Sequence, residues 1–159
     1  MTTICPVREK DWRAMRDIRL EALREAPGAF GSSYPREAEF TETDWRRRAS
    51  GHGLFAYLPD LSAIPVGLVG GIEEGPGVAQ LVSMWVSPRA RGRQVGTALV
   101  TAMADWARDR GLSRLYLWVT DTNRAAGTLY EQSGFRATGE RQPLPSDPAR
   151  SEIEMMLPL

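Results

Sequence analysis

The sequence predicts an α+β domain: a central, mostly antiparallel sheet of six to seven strands, one parallel strand–helix–strand crossover, and about four flanking helices. Three observations carry this. Short apolar runs separated by tight Gly/Pro/Asp turns fill residues 54–86, which argues for antiparallel neighbours. After Pro88 the apolar period switches from two to helical spacing and then returns to a continuous apolar run at 115–119. A strand, a helix and a buried strand in that order make a parallel, right-handed crossover.

In chain order, residues 4–8 read as a first strand. Residues 10–25 read as a helix, with Trp12, Met15, Ile18, Arg19, Ala22 and Leu23 on one face and Pro27-Gly28 as its stop. Residues 29–35 are small and polar, a loop. Residues 36–49 are charged and partly helical, with Thr43 as a plausible N-cap for 44–49. Strands follow at 54–58 and 66–73 around a Pro59-Asp60 turn. Another lies at 79–86 after the turn at 74–77. A helix opens near Val95 and ends at Arg110-Gly111, with Gly111 as cap. The buried strand at 115–119 precedes a short helix at 125–133, stopped by Gly134. Two last strands, 135–141 and 152–157, flank a Pro-rich loop at 143–148.

The 159 residues, 42% hydrophobic, fit a single domain, 1–159, with a real core. Twenty basic and twenty acidic side chains cancel, which argues against a nucleic-acid binder. One Cys and one His exclude an internal disulfide and the usual zinc sets. No signal peptide and no membrane-length apolar run is present, so the expectation is a soluble cytoplasmic protein with no membrane partner. Cys5 reads as a small strand side chain, His52 as a loop residue, and Arg46-Arg47-Arg48 as a solvated helix face.

The densest chemical signal runs from Val86 to Leu99, where a strand ends, an Arg/Gly loop follows and a helix opens. The first N–H groups of a helix lack intrahelical partners and carry partial positive charge, so they suit phosphate oxygens. Gly92 and Gly96 remove side chains there, and Arg89, Arg91 and Arg93 add charged donors. The bland alternative is a solvated basic turn capping a helix. The loop is neither a Walker A loop nor a dinucleotide fingerprint, because Gly-Lys-Ser/Thr and Gly-x-Gly-x-x-Gly are both absent. It does resemble the acyl-CoA loop of the GNAT superfamily of N-acyltransferases, Arg/Gln-x-x-Gly-x-Gly/Ala. Arg91 stands first and Gly96 last, with Gln94 in place of the middle Gly. A second stretch, Asn123 to Phe135, is similar to the family's Asn-x-x-Ala-x-x-x-Tyr-x-x-x-Gly-Phe, with Asn123, Ala126, Tyr130, Gly134 and Phe135 in place. The resemblance covers roughly residues 54–157.

That resemblance implies a GNAT-like fold and transfer of an acetyl group from acetyl-CoA to an amine acceptor by direct attack, with coenzyme A as product and no metal. It implies that the backbone of Arg91, Gly92, Arg93, Gln94, Val95, Gly96 and Thr97 holds the diphosphate. It implies that Met84, Trp85 and Val86 on a splayed strand pair with the pantetheine arm and supply the oxyanion donor, and that Asn123, Ala126 and Tyr130 flank it. Tyr130 would serve the departing thiolate. The attacking amine must lose a proton. Gln80 stands where many members carry Glu and cannot accept one, so Glu73 is the candidate base, with Glu74, Glu37 and Glu39 behind it. The acceptor is expected near the N-terminal helices and the 29–35 loop, where Phe30, Ser32, Ser33 and Tyr34 could shape a pocket. A homodimer is a family-level expectation. A non-catalytic acyl-CoA-binding module is the competing reading, and a nucleotide-binding protein of another fold is a third.

Overall fold

The computed structural model describes residues 1–61 and 63–159. Seven strands form one sheet: β1 (Thr3–Pro6), β2 (His52–Tyr57), β3 (Gly67–Glu73), β4 (Val78–Val86), β5 (Arg114–Thr120), β6 (Arg136–Leu144) and β7 (Asp147–Pro158). Their order is β1-β2-β3-β4-β5-β7-β6. Every pairing is antiparallel except β4 with β5. The helices are α1 (Trp12–Glu25), α2 (Tyr34–Glu37), α3 (Glu42–Ala49), α4 (Val95–Asp109) and α5 (Arg124–Gln132). The α+β class and the parallel crossover through α4 are as the sequence predicts.

The amphipathic helices place a core on each sheet face. Leu99, Val100 and Met103 of α4 and Tyr130 of α5 pack with Val69, Leu81, Leu115 and Leu117. On the other face Met15, Ile18 and Leu23 of α1 and Trp45 of α3 pack with Phe55, Leu68 and Trp85. The buried face of α1 is Trp12, Met15, Ile18, Arg19, Ala22 and Leu23, the set its periodicity selects. Among the described residues no helix is long and apolar enough to cross a membrane.

Four local readings need correction. The cap of α3 is Thr41, not Thr43. Its hydroxyl accepts from the Asp44 N–H (3.2 Å), and the Asp44 carboxylate accepts from the Thr41 N–H (2.9 Å), so two orphan donors are met reciprocally and the helix starts earlier. The 29–35 loop runs into a helical turn, α2, capped by Ser33, which accepts from the Arg36 N–H. His52 opens β2 and its ring packs tilted against Trp106, 4.9 Å between centroids. The Pro-rich stretch is largely strand: Pro143 pairs with Ser151 and Leu144 with Asp147. Proline is tolerated because β6 is the sheet edge and needs no outward donor.

Candidate active site

The site originates in how β4 meets β5. The two run in register for three pairs, Val78–Arg114, Ala79–Leu115 and Gln80–Tyr116, and then part. On its other side β4 also breaks register. Leu68 faces Trp85 and Gly70 faces Val82, so Ser83 and Met84 lie opposite the single residue Val69. This is a β-bulge, and Ser83 within it has φ 58°. A non-glycine residue in that region costs about 1–2 kcal/mol. The bulge bends β4 away from β5, so the facing edges beyond Gln80 have no strand partner.

Between those edges lies a cleft of about 430 Å³. Met84, Trp85 and Val86 line one side, and Trp118, Val119 and Thr120 the other. Asn123, Ala126 and Tyr130 of the α5 segment reach it, as do Arg91 and the turn after α1. The Thr120 hydroxyl donates to the Gly28 carbonyl (2.9 Å), fixing that turn over β5.

Burial pushes the pKa of the Tyr130 hydroxyl well above the ordinary phenol value, so it stays protonated and is a proton donor throughout the physiological range. Its ring packs edge-on against Phe135, 5.8 Å between centroids. Asn123 has less freedom than the sequence allowed. Its carbonyl oxygen accepts from the Ala126 N–H (3.2 Å) as the cap of α5, which commits one of its two lone pairs and leaves the amide N–H groups for a ligand.

Beyond Arg91, which lines the cleft, the chain enters the head of α4, whose Gly96 lies against Met84 and Val86 of β4. The helix's N-cap residue is Gln94, at φ 63°, and its side chain caps nothing. The first N–H of the helix to find a backbone acceptor among the described residues is that of Ala98, on the Gln94 carbonyl (3.1 Å). The earlier N–H groups form an uncapped, partially positive end. Gly92 has φ 78°, with nothing within 4 Å of where a Cβ would lie. At Gly96 a Cβ would come within 3.0 Å of Leu129, so that glycine lets α4 approach α5.

The remaining sequence candidates separate from the cleft. Arg93 binds Asp60 in the β2–β3 turn through two hydrogen bonds (2.9 and 3.0 Å). Arg93, Gln94 and Thr97 line a neighbouring depression beside Met1 and Leu58. Glu73 does not line the cleft. It sits where β3 ends and is bonded to Arg110, held there because β3 runs antiparallel to β4 and carries its end away from the splay. Glu37 is 1% exposed and locked between Arg19 and Arg48, and Glu39 and Glu74 are exposed. Arg47 is exposed and Arg46 half-buried over the Trp12 ring, while Arg48 turns inward to Glu37.

Sequence reasoning missed Glu25, the acidic residue that lines the cleft among those described. Its carboxylate accepts from Arg91 (2.5 Å) and from the Trp85 indole N–H (2.9 Å), while Arg91 Nε donates to the Val86 carbonyl (3.1 Å). Arg91 foremost, with Trp85 against partial burial, holds the Glu25 carboxyl below its usual range.

A sheet with one splayed parallel pair, opening beside an uncapped helix head, is the architecture of the N-acetyltransferases. The chain belongs to the acetyltransferase (GNAT) family, whose model matches residues 12–135. Mycothiol acetyltransferase of Salinispora arenicola is 33% identical over 113 residues, 65% of this chain and 37% of its own length. The chain spans less than half the length of the curated relatives it matches. A GCN5-related N-acetyltransferase from Kribbella flavida superposes with a TM-score of 0.78 at 26% identity, covering 99% of this chain and 98% of that one. The fold is shared by the PaiA N-acetyltransferase of Thermoplasma acidophilum in complex with coenzyme A, with a TM-score of 0.77, 12% identity and coverage of 100% and 99%.

Proposed function

We propose that this protein transfers an acetyl group from acetyl-CoA to a primary amine by direct attack. The observation that carries the reading is the cleft itself, which runs between the parted edges of β4 and β5 from Arg91, just ahead of the uncapped head of α4, to a protonated Tyr130. The diphosphate meets the free N–H groups at 92–97, where the partial positive charge of the helix end acts. The pantetheine amides take up the backbone groups that β4 leaves unpaired. The amine nitrogen bonds to the thioester carbon and the C–S bond breaks. Backbone N–H groups at the bulge meet the charge on oxygen, and Tyr130 gives its proton to the thiolate. Glu25 is tied to Arg91 and Trp85, so the amine's proton leaves to solvent rather than to a cleft carboxylate. The coenzyme A bound by a protein of the same fold supports the choice of donor.

Titration calorimetry with CoA and acetyl-CoA, followed by thiol release over an amine panel, tests this. Gly92→Asp places a negative charge at the helix head. Asp tolerates the left-handed backbone and the space around Gly92 is open, so the fold survives while CoA binding is abolished. Retained binding overturns the loop's role. The missing free carboxylate favours one other reading, a non-catalytic acyl-CoA binder. Tight CoA binding with no thiol release for any amine would establish that instead.

A further inference from the structure

We infer that the acceptor is an amine carrying both an apolar body and a carboxylate, seated in a second groove that meets the thioester cleft at the bulge. The inference rests on the acetyl-transfer reading and names its substrate class. The groove, about 470 Å³, lies between α1, α3 and the β3–β4 pair. Val82 and Ser83 line both it and the cleft, so a molecule in the groove ends where β4 turns toward the thioester.

Its interior is apolar, with Met15, Phe40, Leu68 and Val82. At Gly53 and Gly70 a Cβ would press on Met15 and Val82 at 3.3 and 3.2 Å, so the floor between them stays bare backbone. Such a surface takes an apolar body.

The lip is cationic and built. Arg48 is fixed from behind by the buried Glu37 carboxylate (2.6 Å) and lies over the Phe40 and Trp45 rings, 5.7 and 5.6 Å from their centroids. Of its five N–H donors, a single one is used among the described residues. Arg47 is 75% exposed, and its nearest carboxylate, Asp44, lies 3.7 Å away, beyond hydrogen-bond reach. Arg19, Arg47 and Arg48 face only Asp44 and Glu37, which leaves positive charge in excess. A polyamine or aminoglycoside meets like charge here. A carboxylate gains charge-assisted bonds from a guanidinium already held in place, with little further ordering cost.

The test compares apolar amino acids and ω-amino carboxylates with their amides, and with spermidine, in the thiol-release assay. The free acids are expected to show kcat/KM about 10- to 100-fold above their amides, the range one or two charged hydrogen bonds supply. Arg47→Glu, on an exposed helix position, should raise KM for the acids at least about 10-fold and erase their advantage, with acetyl-CoA affinity by calorimetry unchanged. Arg48→Gln should act in the same direction. Equal use of acid and amide, or preference for spermidine, overturns the inference while leaving acetyl transfer standing. Absence of CoA binding overturns both.

Discussion

Tyr130 is the residue whose chemistry is best defined by its surroundings. It is 5% exposed, its ring rests on Phe135, and burial keeps its hydroxyl protonated. Tyr130→Phe keeps the ring packing and removes only the donor. Turnover should fall about 100-fold, within the range general-acid groups contribute, while acetyl-CoA affinity stays within about twofold. Steady-state kinetics beside calorimetry read the two apart, and lost affinity with intact turnover contradicts the assignment. Tyr130 was legible because four residues of helix place it on the same face as Ala126, directly after a strand. The position of Glu73 away from the cleft was not legible, because closeness in sequence to the cleft strand says nothing about which end of an antiparallel partner lies near the splay. Glu25 left no signal: it meets Arg91 across 66 residues of chain, a contact only the fold creates.

Among the elements, α4 and β4 divide the work, and Gly96 brings α4 against both α5 and β4. Gly96 makes that contact close, since a Cβ there would also stand 3.4 Å from Met84. Gly96→Val forces Leu129 and Met84 to move and wedges α4 outward. The expected cost is about 1–3 kcal/mol of stability, together with weaker CoA binding, because the helix head shifts from the cleft. Urea unfolding and calorimetry on one sample check this, and unchanged values in both would remove the packing role. Periodicity located α4 and its Gly111 stop, at φ 74°, because both follow from local stereochemistry. It did not locate the bulge. Ser83 has no residue signature for a left-handed position, and the kink arises from register with β3. Gln94 likewise occupies a left-handed cap where the family motif has glycine, a strain no pattern of polar and apolar residues reveals. The hairpin through Pro143 escaped for the same reason, since edge position is a property of the sheet and not of the segment.

At the scale of the whole molecule, the layer of α1, α2 and α3 is stapled by one buried ion cluster. Arg19 of α1 grips Glu37 of α2 through two hydrogen bonds (2.9 and 3.0 Å), and Arg48 of α3 adds a third (2.6 Å). Burial alone would raise the Glu37 carboxyl, but Arg19 and Arg48 outweigh it and hold its pKa at about 2. An unfolded Glu titrates near about 4.3, so the folded pKa is depressed. Its contribution is therefore complete above about pH 5 and is lost as pH falls toward 2, on the order of 3 kcal/mol over that window. Glu37→Gln leaves Arg19, 6% exposed, without its buried counter-charge. It should cost about 3–5 kcal/mol at neutral pH and flatten the acid limb of the stability curve. Urea unfolding from pH 7 to pH 2 measures both. Equal slopes for the two proteins would place the acid sensitivity elsewhere. Because α1, α3 and the segment joining α2 to α3 carry Met15, Arg48 and Phe40 onto the groove beside β4, wild-type protein approaching pH 2 should lose the proposed acceptor surface as that layer loosens. Stability and the proposed acceptor groove are thus tied to one carboxylate outside the groove's lining.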